Sequence, residues 1–568
     1  MNAERLSASA PLTGRRLPFV LAALVTLANV AKPVTVDDTA YLLFARHISS
    51  HPTDPYGFTL FWWDRPEPAM EVLCPPVVPY WLAAGMTLFG EHVGLLKLWH
   101  FPFVLLLSWA LNALLVRFAR GVEGVALPVL MLSPAVLPAL NLMLDVPALA
   151  LALASVELFI RAAERGLGLA ALAGCVAGLA MQTKYSAFVA PAVIAWYGMT
   201  HRRVLPAVCA VFAAVALFAG WELLLVAKYG RSHFAFHASS SGGGGLSAFV
   251  ESKFALLAPL GGYLGCLAVG SGLLALSALR ISRLWITGAA AVWCLGFGLL
   301  ATLPRRCTVV PNLNLVSAYW QLSGLIWLMA GAGCLGVLLF RVRTGLGVRV
   351  NRGALFLAGW LLIELAAAIG LTPFPAARRV IGVSIVLGLV AAHALSRVCR
   401  LHPDRLPSRW VVGAGAGAGL LVAAIDTLDA YPEKLCAKEA ALRVARARAE
   451  EPLSAGQVWY VGHWGFQYYC ERAGMRPLIA QQTEARAGDY LVVPEYPPDD
   501  PFPRPYAGFD VRHPPEWVAD DLGGITVDDL LSAKTVPNYY GGAGPVTGRD
   551  HPRLQVRVYR LRTDWVMP

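Results

Sequence analysis

Apolar residues arrive in this chain in blocks of roughly 17 to 25, each long enough to cross a ~30 Å hydrocarbon core as a helix. No other feature restricts the fold so strongly. Backbone that crosses lipid must satisfy its own hydrogen bonds, so only helices or closed barrels qualify, and these blocks lack the alternation of barrel strands. With 57% of 568 residues hydrophobic and only 15% charged, a soluble fold could not hide so much apolar surface. The implied architecture is an all-α polytopic membrane bundle.

Thirteen segments fit as spans, at about 17–36, 93–116, 123–141, 145–161, 167–183, 186–199, 204–226, 254–279, 284–303, 315–340, 354–371, 378–396 and 410–427. The loops on one side carry Arg117 and Arg120, Arg161 and Arg165, Arg202 and Arg203, Arg280 and Arg283, Arg341 to Arg352, and Arg397 to Arg409. All are basic, which assigns that side to the cytoplasm. Arg5, Arg15 and Arg16 place the amino terminus there, and the carboxyl end then falls outside. The first segment, Leu17 to Val36, is read as a retained span, because no small-residue cleavage site follows it and Lys32 and Pro33 interrupt its end. With no eukaryotic sorting signal, the membrane is assigned as a bacterial inner membrane.

The net charge of +11 does not indicate nucleic acid, since the arginines are dispersed among short loops instead of forming one basic face. Ten cysteines show neither a CxxC pair nor zinc-ligand spacing. Cys74, Cys307, Cys436 and Cys470 fall on the outer side, where a disulfide is an option that the sequence does not pair.

Residues 1–427 form the expected transmembrane domain. Its first outer loop, about 37–92, holds an apolar stretch at 77–89 and Phe61-Trp62-Trp63, which suits helices lying in the interface. A second outer loop, about 227–253, carries the Gly242 to Gly245 run and is expected to be mobile. Beyond Asp426 hydropathy falls, and residues 428–568 are expected to form an extracytoplasmic α/β domain. Its predicted elements are a helix from Glu433 to Glu450 and strands at Gln457 to Val461, Tyr490 to Val493 and Leu554 to Arg560.

Adjacent carboxylates Asp37 and Asp38 directly follow the first span. Desolvation there is costly, which points to a reactive role or a cation; a helix cap is the structural alternative. Asp145 lies at the outward end of a hairpin, at the same depth, where a cap ahead of Pro147 is again the plainer account. Lys184, Arg305, Arg306, Arg378 and Arg379 are basic residues on the side that loop charge normally avoids. They call for an anionic partner at headgroup depth, and a lipid phosphate fits; snorkelling is the alternative for any one of them. His463 and Trp464 follow a predicted strand of the outer domain, and a lone histidine there is read as structural.

These residues resemble the GT-C superfamily of membrane glycosyltransferases, in the branch with protein O-mannosyltransferases and the lipid A aminoarabinose transferase. The resemblance rests on Asp37, Asp38 and Tyr41 after the first span and on Pro75-Pro76-Val77-Val78-Pro79-Tyr80-Trp81. Leu88-Phe89-Gly90-Glu91-His92, the Asp145 hairpin and Thr183-Lys184-Tyr185 extend it through roughly the first 200 residues. It implies a sugar donor on a polyprenyl phosphate, a lipid, glycan or protein acceptor, and transfer with inversion in the outer leaflet. Carried over, Asp37 would be the general base with Asp38 beside it, and Asp145, Tyr41, Glu91 and His92 would position substrate. Lys184, Arg378 and Arg379, with Arg305 and Arg306, would hold the leaving phosphate, on which charge grows as the glycosidic bond breaks. Some relatives carry an acidic metal ligand where this chain has Cys74, with Glu71 the nearest acid, so no cofactor is assigned and a divalent cation stays an option.

A transporter or flippase of lipid-linked sugars would share the bundle and the basic residues. Transporters place ionisable groups at the midplane and often repeat their halves, whereas here Glu157, Glu222 and Glu364 are the few candidates and no halves repeat. A non-catalytic surface scaffold leaves the acidic pair and the outward basic residues unexplained.

Overall fold

The computed structural model describes residues 16–62, 65–240, 246–300, 308–310, 313–339, 351–402, 409–450, 456–495, 514–527, 535–537, 545–548 and 554–567. Arg305, Arg306, Cys307, Trp63 and the Gly242 to Gly245 run lie outside them.

The chain is mainly helical. Among the described residues six helices are long and apolar enough to cross a membrane: Val93–Phe118, Val204–Tyr229, Leu315–Leu339, Arg352–Gly370, Ile381–Leu401 and Trp410–Glu450. The pair Val250–Leu267 and Val269–Ala278, bent by 76°, makes a seventh if counted as one span. The expectation of thirteen spans therefore counted apolar segments, not helices of spanning length. Lys32 and Pro33 end the first helix, Arg16–Val30, after 15 residues. The segment at 123–141 is helical only over Glu123–Met131, because Pro134 and Pro138 follow. The helix Asp145–Ala162 has the length but carries Asp145, Glu157 and Arg161.

Small residues let the helices approach closely. A side chain at Gly265 would meet the Trp320 carbonyl at 2.1 Å, and one at Gly324 the Gly261 carbonyl at 1.9 Å, so the helices Leu246–Leu267 and Leu315–Leu339 cross at backbone contact.

The segment expected in the interface folds as the helix Asp38–Ser50, the hairpin Thr59–Trp62 with Arg65–Pro68, and the helix Val77–Phe89. The sheet of the C-terminal part has five strands in the order Arg476–Pro477, Val458–Tyr460, Tyr490–Glu495, Gln555–Leu561 and Ala519–Thr526. Val458–Tyr460 is parallel to both of its neighbours and the remaining pairs are antiparallel. The predicted strands fall on observed ones. The predicted helix at Glu433 proves to be the outer part of one 42-residue helix, Arg409–Glu450, which continues the last apolar segment. Its Cys436, Ala437, Ala440 and Val444 pack into the core beneath the sheet with Tyr460, Phe466, Val492 and Val556. Cys74, Cys436 and Cys470 are buried free thiols, which removes the disulfide option among them.

Candidate functional site

The turn that follows the first helix is tied down from three directions. Asp38 is fully buried: Oδ2 accepts from the Thr35 N–H at 3.3 Å and Oδ1 from the Leu142 N–H at 3.1 Å, which joins the turn to the hairpin ahead of Asp145. Burial pushes the Asp38 carboxyl up, against the pull of Lys97 and Lys32. Lys97 donates to the Lys32 carbonyl at 2.6 Å, and the buried Lys32 ammonium pairs with Asp426 of the long helix. From the outer domain, the Tyr469 hydroxyl accepts from the Val34 N–H at 2.9 Å, and Thr39 Oγ1 donates to the Trp464 carbonyl at 2.7 Å.

Two residues in this junction hold backbone that side chains rarely adopt. Val36 has φ +47° and Trp464 φ +58°. A β-branched residue at positive φ is costly and persists only where its surroundings over-determine it. Here the strained residue immediately precedes Asp37.

Asp37 occupies the N-cap position of the helix Asp38–Ser50 but makes no capping bond. Its Oδ2 instead accepts from Arg378 Nη1 at 2.6 Å. Arg378 and Arg379 stand on the single 3-10 turn Ala377–Arg379 that opens the helix Ile381–Leu401, both over the Phe374 ring at 5.8 and 5.1 Å. Asp145 is the first residue inside its helix, one past the N-cap Leu144, and pairs with Lys184, which sits just ahead of the 3-10 turn Tyr185–Phe188. Burial, reinforced by Arg379 and Arg378, pushes the Lys184 amine down to about 8, although Asp145 opposes the shift. Tyr41 is buried within electrostatic reach of Asp37, Cys74, Arg378 and Asp145, and burial pushes its phenol up.

Arg379 differs from its neighbours. Among the described residues its guanidinium has no hydrogen-bond or ion-pair partner, and its Nε is buried and unsatisfied. A cation so placed is unfavourable unless an anion joins it.

Arg378, Arg379, Lys184 and Asp145 line one part of a cavity of about 810 Å³, counting its open mouth. The rest of the lining is largely apolar: Leu149, Leu153 and Val156 from one helix, Val189 and Val193 from a second, and Trp360 and Leu371 beside a third, with Ser186, Glu364 and Thr372 the exceptions. The Glu364 carboxylate lies where a Gly382 side chain would meet it at 2.2 Å. Polar groups thus converge at one end of an oily groove between helices.

The structure brings together Asp37, Tyr41, Asp145, Lys184, Arg378 and Arg379, with Asp38 behind them as a tie. Glu91 belongs elsewhere: it takes a bidentate pair from Arg46, both bonds at 3.0 Å, and lies 3.6 Å from Arg472, bracing the outer domain against the helix Asp38–Ser50. His92 is exposed at the N-cap of Val93–Trp99. Asp37 and Asp145, the acids available to a cation, each already hold a side-chain cation, and Cys74 is a buried thiol beside them. Among the described residues no three His, Cys, Asp or Glu side chains gather, so the donor set does not fit a divalent metal. One neighbour is the histidine that the sequence reading treats as structural. His463 is buried, edge-on to Trp62 at 4.1 Å and bonded through Nδ1 to Gln467 Oε1 at 3.0 Å; burial pushes its imidazole down to about 4, against the pull of Asp37.

No protein-family model matches the chain, and no curated protein matches it. Among solved structures, the chain is similar to the Archaeoglobus fulgidus oligosaccharyltransferase, crystallised with Zn and sulfate, at 13% identity and a TM-score of 0.49 over 84% of this chain and 67% of that one. It is also similar to ArnT from Cupriavidus metallidurans bound to undecaprenyl phosphate, at 14% identity and a TM-score of 0.38 over 84% and 92%. Likenesses at this level do not assign a function, so the chemistry of the site has to come from its own residues.

Proposed function

We propose that this protein is a glycosyltransferase that moves a sugar from a polyprenyl-phosphate donor to an acceptor hydroxyl on the outer side of a bacterial inner membrane. The observation that carries the reading is the groove: three cations meet at its polar end, one of them without an ion pair among the described residues, and the remainder suits an isoprenoid chain. Arginine forks and an ammonium suit phosphate oxygens, and apolar helix faces suit the lipid. In this reading all thirteen apolar segments lie in the membrane, the amino terminus is cytoplasmic, and residues 428–568 are periplasmic.

The proposed step balances simply. The acceptor oxygen forms a bond to the anomeric carbon as its proton passes to Asp37 Oδ1, the oxygen that Arg378 leaves open. The bond from that carbon to the phosphate oxygen breaks, and the electron pair stays on the phosphate. Arg379 and Lys184 then hold the growing charge. Attack opposite the leaving phosphate inverts the anomeric centre. Arg378 touches both halves, since it lines the groove and pins Asp37. No metal is needed to neutralise the phosphate.

The test is transfer of radiolabelled sugar from undecaprenyl-phosphate donors to membrane extracts by purified wild type and Asp37→Asn. The reading expects transfer by wild type, and by the variant none above background although it still binds donor. Donor flipping in liposomes, without transfer by wild type from any donor, would overturn it in favour of a transporter.

A further inference from the structure

A second groove lies between the long helix Arg409–Glu450 and the helix Trp464–Arg472, on the same side of the molecule as Asp37. It has a volume of about 730 Å³, counting open space, and is lined by Lys434, Lys438, Leu442, Tyr469 and Arg472 together with two alanines. No carboxylate lines it. Arg472 leans toward Glu91 at 3.6 Å, but Lys434 and Lys438 have no ion pair among the described residues. Lys434 instead lies over the Tyr431 and Tyr469 rings, at 5.8 and 6.0 Å.

Lysines four apart share one helix face and repel, so their pairing here is not a device for holding the helix. Leu442, 42% exposed, continues the same face one turn further. The groove's height also matters. The apolar part of the long helix ends near Asp426, and at 1.5 Å per residue Lys434 and Lys438 stand about 12 and 18 Å beyond it. From there Lys434 reaches back toward headgroup oxygens, while Lys438 stands one turn farther out along the groove. Tyr431, whose hydroxyl donates to the Ala31 carbonyl at 3.1 Å, and Tyr469 supply aromatic rings at this level.

From this arrangement we infer that the groove is a docking site for the phosphate headgroup of an anionic membrane lipid, held by Lys434, Lys438 and Arg472. It is separate from the donor groove: none of its lining residues is shared. It is nonetheless coupled to the site by one side chain. Tyr469 forms its wall and accepts from the Val34 N–H, three residues before Asp37, so a lipid seated there orders the turn that carries the base.

The experiment measures binding of a fluorescent phosphatidylglycerol to the full-length protein in a nonionic detergent, with saturating undecaprenyl phosphate present to fill the donor groove. Unlabelled phosphatidylglycerol should compete, phosphatidylcholine and inorganic phosphate should not, and binding should weaken as salt rises. At the worth of a surface lysine toward an anionic headgroup, the exposed double variant Lys434→Gln/Lys438→Gln should bind about 30-fold more weakly with an unchanged melting temperature. Wild-type affinity in that variant would overturn the site, and so would equal competition by phosphatidylcholine. Equal competition by inorganic phosphate would overturn the assignment to a lipid. Because the probe is binding, none of these results depends on whether the protein transfers sugar.

Discussion

Replacing Arg379 with glutamine separates a charge kept for a ligand from one kept for the fold. Among the described residues this guanidinium has no ion-pair partner, its Nε is buried, and Arg378 lies beside it. An unpaired cation in that position opposes folding, so Arg379→Gln should leave stability unchanged or raise it. Its contribution should appear only with the lipid phosphate. A hydrogen bond to a charged group contributes about 1.5–3 kcal/mol, and about 1.4 kcal/mol is a factor of ten, so donor affinity should fall about 10- to 150-fold. Titration with undecaprenyl phosphate in detergent reads the affinity, and a thermal melt of the same sample reads the stability. In wild type, ligand should raise the melting temperature, and in the variant this rise should shrink. Arg378→Gln provides the contrast, since it strands the Asp37 carboxylate and should lower stability and activity together. A destabilised Arg379→Gln with wild-type donor affinity would refute the reasoning, because the charge would then serve the fold.

Three further outcomes follow from the junction. Lys184 is held near 8 by burial and by the two arginines, so its charge is present below that pH and lost above it; donor affinity should fall as pH rises through about 8, and Lys184→Arg should move the fall upward, as read from binding at stepped pH. Asp38→Ala leaves two buried N–H groups without their acceptor and should cost about 2–5 kcal/mol, read as a lower denaturation midpoint, whereas Asp38 as a second base would show lost turnover at wild-type stability. Val36→Gly frees a φ of +47°, so it should stabilise slightly or be neutral in a melt while turnover falls because Asp37 is less firmly placed.

Much of the site was legible because charge is scarce in this chain. Where lipid excludes ionisable groups, each exception stands out; Asp37, Asp145, Lys184, Arg378 and Arg379 were singled out by the depth and side assigned to them, and the fold brings them together. What depth cannot supply is pairing. Asp37 and Arg378 lie 341 positions apart, and only packing of the helices makes them neighbours. The same limit applies to Glu91, which the resemblance offered for positioning substrate although Arg46 and Arg472 pair with it. His463 was read as structural because a histidine after a strand has no local signal that the helix it caps docks beside Asp37. Helix lengths were not legible for another reason: hydropathy sees apolar length but not the prolines and bends that divide it. Helical continuity past Asp426 was hidden in turn, since apolar periodicity stops where the solvent changes although the backbone hydrogen bonds do not.

That unbroken helix also constrains how such a protein can change over time. From Arg409 to Glu450 one rod sets both the Lys32–Asp426 pair inside the membrane domain and the face that carries Cys436, Ala440 and Val444 beneath the outer sheet. Each residue turns the helix by about 100°, so a single insertion between Asp429 and Cys436 would rotate the whole outer domain out of phase with the turn it braces. Loops elsewhere can lengthen one residue at a time. This connection can change length only by steps that restore the phase, near whole turns, and an outer domain borrowed from another chain would have to arrive already in register.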